Sequence, residues 1–224
     1  MSLSKLRQAM IAYCVTQEGE LPSEYQKVNK IRGIVPNAYI DTGISFNDDI
    51  QITIELDIAV AKVPATNSSA QIAGISKAND TYFYGIDFLR NTNTFRFNNG
   101  SASNTITPTN YRNRKKVTIG YSNGYHGSVE DVSTGTIDTV SISGSPQTIS
   151  DNIYLNAKNK TDTGASSYQS LTLDWFGARL ISGEGVVLRD YVMCYRKSNN
   201  KVGMYDKVNG EFYSSAGTSE FTIP

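Results

Sequence analysis

The sequence predicts an all-β fold, an antiparallel β-sandwich with a short N-terminal helix. Three observations carry this. Apolar residues recur at every second position over many short runs, polar turn dipeptides separate those runs, and helical spacing is confined to the first residues. A chain of 224 residues is long enough to bury a core without staples or metals.

The helix is read over residues 3–16. Ser2 or Ser4 can cap it, and Leu3, Leu6, Met10 and Tyr13 recur at three- and four-residue steps. A helix of about a dozen residues is marginal alone in water, so this stripe must pack against its own domain, a partner or copies of itself. Gly19 and Pro22 end it, dividing the chain into an anchor over 1–20 and a sandwich over 21–224.

The first long strand is the most regular. In Gln51–Ile58 the apolar Ile52, Ile54, Leu56 and Ile58 alternate with polar residues, which places them on one face. Similar runs follow at Tyr82–Leu89, Thr94–Phe97, Lys116–Tyr121, Thr136–Ile142, Asn152–Ala157, Leu171–Ile181 and Val186–Tyr195. Asn99-Gly100, Asn123-Gly124 and Asn209-Gly210 suit tight hairpins, where positive φ is wanted. One polar face per strand indicates antiparallel sheets, each half buried. Pro64–Ala70, Ser101–Asn113 and Lys158–Ser167 read as exposed loops.

Charge excludes several classes. Lys plus Arg and Asp plus Glu are 21 each, so no positive surplus exists for non-specific binding to nucleic acid or anionic membrane. No apolar run is long enough to span a bilayer, so membrane insertion is not expected. The run Ala9–Val15 is too short, and Tyr13 before Cys14 too bulky, for a secretion signal. A single His rules out a His-rich metal site, and Cys14 and Cys194 show no ligand spacing, so no metal is expected. No Gly-rich phosphate loop follows a strand, and no cofactor is expected.

Catalytic motifs are sparse. Glu55 and Asp57 alternate on one strand, as in sandwich glycoside hydrolases with three carboxylates in the order Glu, Asp, Glu, but the third position is Ala59. The proton donor is missing, and two alternate carboxylates otherwise mark a solvent face. His126 reads as a residue at a hairpin tip, with no Gly-x-Ser-x-Gly nucleophile motif in the chain. Phe46–Asp49 and Lys160–Asp162 could offer oxygens to calcium but match no dedicated loop. Arg112-Asn113-Arg114-Lys115-Lys116 reads as a solvated loop and strand start. The chain is accordingly expected not to be an enzyme.

Aromatic residues say more. The 14 Tyr outnumber the 8 Phe and single Trp, and a Tyr-rich surface suits sugar stacking and protein interfaces. Tyr82, Tyr84 and Trp175 are the candidate carbohydrate-binding residues; packing within the sandwich is the competing role for Trp175.

Two segments resemble a known family. Tyr39–Ile44 with the strand at 51–58 resembles the opening of a concanavalin A-like lectin/glucanase (laminin-G-like) domain, a jelly roll common in tailed-phage structural proteins and gut-bacterial surface proteins. Leu188–Lys197 is similar to that family's "LVRDFVPCYRK" strand, Val202–Tyr213 to its "GLYDKVNGKFY" hairpin, and Leu21–Val28 to its lead-in. Met193 replaces the family's proline, and Asn29–Ala38 departs from its usual "EYIESTGTQ". The resemblance implies a virion surface protein of a tailed phage, made in the host bacterial cytoplasm: a capsid decoration, head fibre, or tail or baseplate component. It would contact other virion proteins through the N-terminal segment, with Leu3, Leu6, Met10 and Tyr13 helping three copies meet. The alternative is a carbohydrate-binding adhesion module recognising host or mucosal glycans.

Overall fold

The computed structural model describes residues 21–46, 51–63, 69–77, 82–121, 124–144, 149–161, 163–167 and 170–224. The expected helix, with Leu3, Leu6, Met10 and Tyr13, lies outside them, as do Cys14, Asn123, Asn47–Asp49 and Asp162. The described residues are all β, without helix, and form two sheets.

The larger sheet has ten strands. Its main path runs β11 (Ile137–Ile142), β10 (Tyr125–Asp131), β9 (Lys115–Tyr121), β4 (Ile52–Lys62), β15 (Leu171–Ser182), β16 (Val187–Arg196), β17 (Lys201–Asp206), β18 (Glu211–Ser214). Two short strands, β1 (Tyr25–Lys27) and β2 (Ile31–Val35), pair with β16 and β15. The smaller sheet contains β14 (Gly164–Ser166), β13 (Ala157–Lys160), β5 (Ser69–Ser76), β6 (Phe83–Leu89), β7 (Thr94–Gly100) and β8 (Ala102–Ile106). Strands β12 (Ile149–Leu155) and β3 (Ile40–Phe46) extend it beside β5. Pairing is antiparallel except between β13 and β5, which run parallel. The expected antiparallel sandwich is the architecture observed, with that one parallel pair inside it.

Strand β4 shows how the sequence drives the fold. Ile52, Ile54, Leu56, Ile58 and Val60 are buried between the sheets, while Thr53, Glu55, Asp57 and Ala59 point out of the sandwich. Phe88, Phe95 and Phe97 close the core from the smaller sheet, and Trp175 and Leu180 of β15 join it from beside β4. The closing hairpin is tied by side chains: Asp206 accepts the amides of Asp190 and Val208 at 2.9 and 3.0 Å, and Asn209 accepts that of Glu211 at 3.0 Å. Gly210 sits at φ +75°, the left-handed region that glycine enters without strain. The Asp-Lys-Val-Asn-Gly motif therefore shapes a turn.

Three expected loops contain strands. Ser69 and Ala70 open β5, β8 occupies 102–106, and β14 with all of β13 but Ala157 falls within 158–167. Their Ser, Thr and Asn content reads as loop, yet neighbouring strands supply the pairing that fixes their backbone. His126 is likewise an exposed residue inside β10, the second of that strand.

Candidate functional site

The residues expected to stack on sugars lie in the core. Tyr82, Tyr84 and Trp175 are exposed by 1%, 0% and 0%. Tyr82 donates its hydroxyl to Asn99 Oδ1 at 3.0 Å, Tyr84 donates to the Ile52 carbonyl, and Trp175 Nε1 donates to Asn156 Oδ1 at 3.0 Å. A ring with no accessible face cannot act as a platform, so the carbohydrate-binding role is corrected for all three. Each polar tip instead meets an internal acceptor, which makes burial of the ring affordable.

A groove lies elsewhere, on the outer face of the ten-stranded sheet. It has a volume of ≈ 450 Å³ above β10, β9, β4, β15 and β16. Strand register builds its floor. Ser128 pairs with Thr118, Thr118 with Glu55, Glu55 with Arg179, and Arg179 with Asp190, so five consecutive strands present one continuous polar row. At about 4.8 Å per strand the row extends about 19 Å, a length suited to an extended chain. A second row runs beside it through Ile137, Glu130, Lys116, Asp57 and Gly177.

The two rows differ in how their charges are used. In the second row, Arg114 makes a two-pronged contact to Asp57 at 2.7 and 2.5 Å, and Lys116 reaches Glu130 at 3.3 Å. Arg114 also lies over the Phe176 ring, 4.4 Å from its centroid, and its hydrogen bonds to Asp57 raise its pKa. In the first row, Arg179 stands 3.6 Å from Glu55 and 3.9 Å from Asp190. It makes no hydrogen bond among the described residues, so its guanidinium keeps its N–H donors available above the groove floor. Exposed ion pairs of this kind contribute about 0–1 kcal/mol, so a ligand can rearrange them at little cost.

The basic run is dispersed by the fold. Arg112 reaches the Ala61 carbonyl, Arg114 pairs with Asp57, Lys115 is buried against Asp131, and Lys116 pairs with Glu130. Alternation sends Lys115 and Lys116 to opposite faces of β9, and each of the four cations meets an acceptor of its own. Cys194 is buried and its thiol is pushed up to about 12 by desolvation, so it sits as a core residue. Among the described residues no cluster of three or more His, Cys, Asp or Glu could hold a metal ion.

Sequence reasoning noticed Glu55 and Asp57 and missed their neighbours. Arg179, Asp190, Thr118 and Ser128 come from four other strands, and only the register brings them together.

No family model and no curated protein matches the chain. Solved structures with a likeness to it include a Scytalido-glutamic peptidase bound to a peptide-based transition-state analogue, at TM-score 0.42 and 12% identity over 91% of this chain and 100% of that one. Another is SCP-B, a member of the Eqolisin family of peptidases in complex with a tripeptide, at 0.39 and 12% over 88% and 96%. A third is the carbohydrate-binding module CBM66 from Bacillus subtilis, at 0.28 and 13% over 71% and 91%. Beside these peptidases the expectation that the chain is not an enzyme, which rested on missing sequence motifs, is withdrawn. The likeness is one of fold and hands no site residue to this chain. A β-sandwich is supported; the lectin-family and phage assignments gain no match.

Proposed function

We propose that this protein binds an extended polysaccharide chain across the outer face of its larger sheet. The observation that carries the reading is Arg179, standing between Glu55 and Asp190 without a hydrogen bond among the described residues. Sugar hydroxyls are both donors and acceptors. A guanidinium flanked by carboxylates, and continued by the hydroxyls of Thr118 and Ser128, offers both kinds of partner along one line. The groove lining holds four carboxylates, Glu55, Asp57, Glu130 and Asp190, against Lys116 and Arg179. That balance repels a phosphate polymer and leaves a neutral one.

The finer placement is on the surface of a tailed-phage particle, as a decoration, fibre or tail component held through residues 1–20. The resemblance of residues 188–197 and 202–213 to a strand and a hairpin of the lectin-like family, common in tailed-phage structural proteins and gut-bacterial surface proteins, supports it. In this setting the groove would face host or mucosal glycans.

A glycan array tests the binding. Wild-type protein should retain a defined set of linear polysaccharides, and Arg179→Ala, at a side chain 45% exposed, should fold normally and lose that retention. A blank array together with cleavage of a protein substrate such as casein would overturn the reading.

A further inference from the structure

The geometry points to a second, separate binding site, a cup for a single sugar-sized polyol beside the segment 108–113. The cup has a volume of ≈ 240 Å³ and lies at the end of β9, β10 and β11. At about 30 Å³ per water this is room for about eight waters, and it suits one ring rather than a chain. Its wall combines Lys115, Asp131 and Asp138 with the hydroxyls of Thr109 and Thr136, over the apolar side chain of Val129.

Lys115 is the telling residue. Inward alternation on β9 places it on the same face as Val117 and Ile119, and its side chain is only 1% exposed. An ammonium carries three donors. Among the described residues Lys115 donates to one acceptor, Asp131 Oδ2, which leaves donors unspent on a buried cation. Such donors are costly to strand, so the cup favours an occupant that brings acceptor oxygens.

The acidic side of the cup defines the rest. Asp131 is held ionised, well below the usual carboxylate range, by hydrogen bonds from Lys115 and Ser133. Asp138 is exposed and has no ion pair among the described residues. The Lys115 ammonium already stands against Asp131, the position a metal ion would need. Two carboxylates repel a bare anion. A polyol meets every condition, because one hydroxyl oxygen can accept from Lys115 while other hydroxyls donate to Asp138 and exchange bonds with Thr109 and Thr136.

The site does not depend on the groove, and the experiment keeps them apart. Full-length protein is titrated with methyl glycosides of glucose, galactose, mannose and N-acetylglucosamine to about 10 mM, above a dissociation constant of roughly 1 mM for a weak single site. Backbone amide shifts are followed by NMR. At least one glycoside should move the amides of residues 109–113 and 131–138. Asp138→Ala and Thr136→Val, both at exposed positions, should each weaken that binding at least tenfold, and Arg179→Ala should leave it unchanged. The proposal is overturned if no glycoside moves these amides or if both cup variants bind like wild type. It also fails if the shifts follow Arg179 instead, or if a small zwitterion such as glycine binds there while the glycosides do not.

Discussion

Replacing Trp175 with Phe separates a core role from a sugar-stacking role. In the structure the indole N–H donates to Asn156 Oδ1 at 3.0 Å, and both residues are fully buried. Asn156 also donates to the Ala38 carbonyl and adopts φ +64°, so it holds the junction of β12 and β13 to the strand carrying Trp175. Phe keeps a ring and removes the donor. Stranding the buried amide oxygen costs about 1–3 kcal/mol. The smaller ring leaves a void, and a loss of about 1 kcal/mol more is ordinary for such a core change. A total of about 3 kcal/mol lowers Tm by about 6–12 °C in a domain of this size. Thermal unfolding followed by near-ultraviolet circular dichroism measures the shift, and the glycan array on the folded variant measures binding. The expected result is a large Tm loss with unchanged glycan retention at 15–20 °C below the new midpoint, a margin of about two such shifts. A near-native Tm with abolished retention would refute the argument and return Trp175 to the surface.

Other predictions follow from particular contacts. Asp87 is buried with its Oδ1 unpartnered, and desolvation raises it from 3.8 to about 6 despite Arg96 and Lys158. A raised carboxyl stabilises the fold when protonated, so its contribution is complete below pH 4 and lost as pH climbs through 6, a change of up to about 3 kcal/mol. Asp87→Asn should therefore gain stability relative to wild type between pH 4 and pH 7; a Tm difference that stays constant with pH would contradict this. At Gly127 an added Cβ would lie 2.3 Å from Phe97 Cγ, inside the core. Gly127→Ala should cost about 1–3 kcal/mol by urea unfolding, and adding Phe97→Leu should recover part of it. At Gly177 a Cβ would meet only Asp57 and the Tyr191 carbonyl at 3.8 Å, so Gly177→Leu should fold and fill the groove. Polysaccharide retention should fall while Tm stays near wild type.

Legibility from sequence followed local pattern. Strand β4 was plain because Ile52, Ile54, Leu56, Ile58 and Val60 repeat at period two, and the β17–β18 hairpin because Asn209 and Gly210 demand a turn. Strands β8 and β14 were hidden, since Ala102–Ile106 and Gly164–Ser166 carry turn-forming residues and are held by their neighbours. The aromatic candidates misled for a related reason. Tyr and Trp suit surfaces and cores equally, and what buries Tyr84 or Trp175 is an acceptor 32 or 19 residues away in the chain. The groove was half visible. Glu55 and Asp57 stood out, but Arg179 and Asp190 join them only through the pairing of β4 with β15 and of β15 with β16. Such register depends on the whole sheet.

The most direct test is a crystal structure of the protein with the oligosaccharide that ranks highest on the array. Sugar hydroxyls hydrogen-bonded to Arg179 and Glu55, with the chain crossing β4 and β15, are what the account predicts. A ligand seated on the smaller sheet, with Arg179 still unbonded, would contradict it.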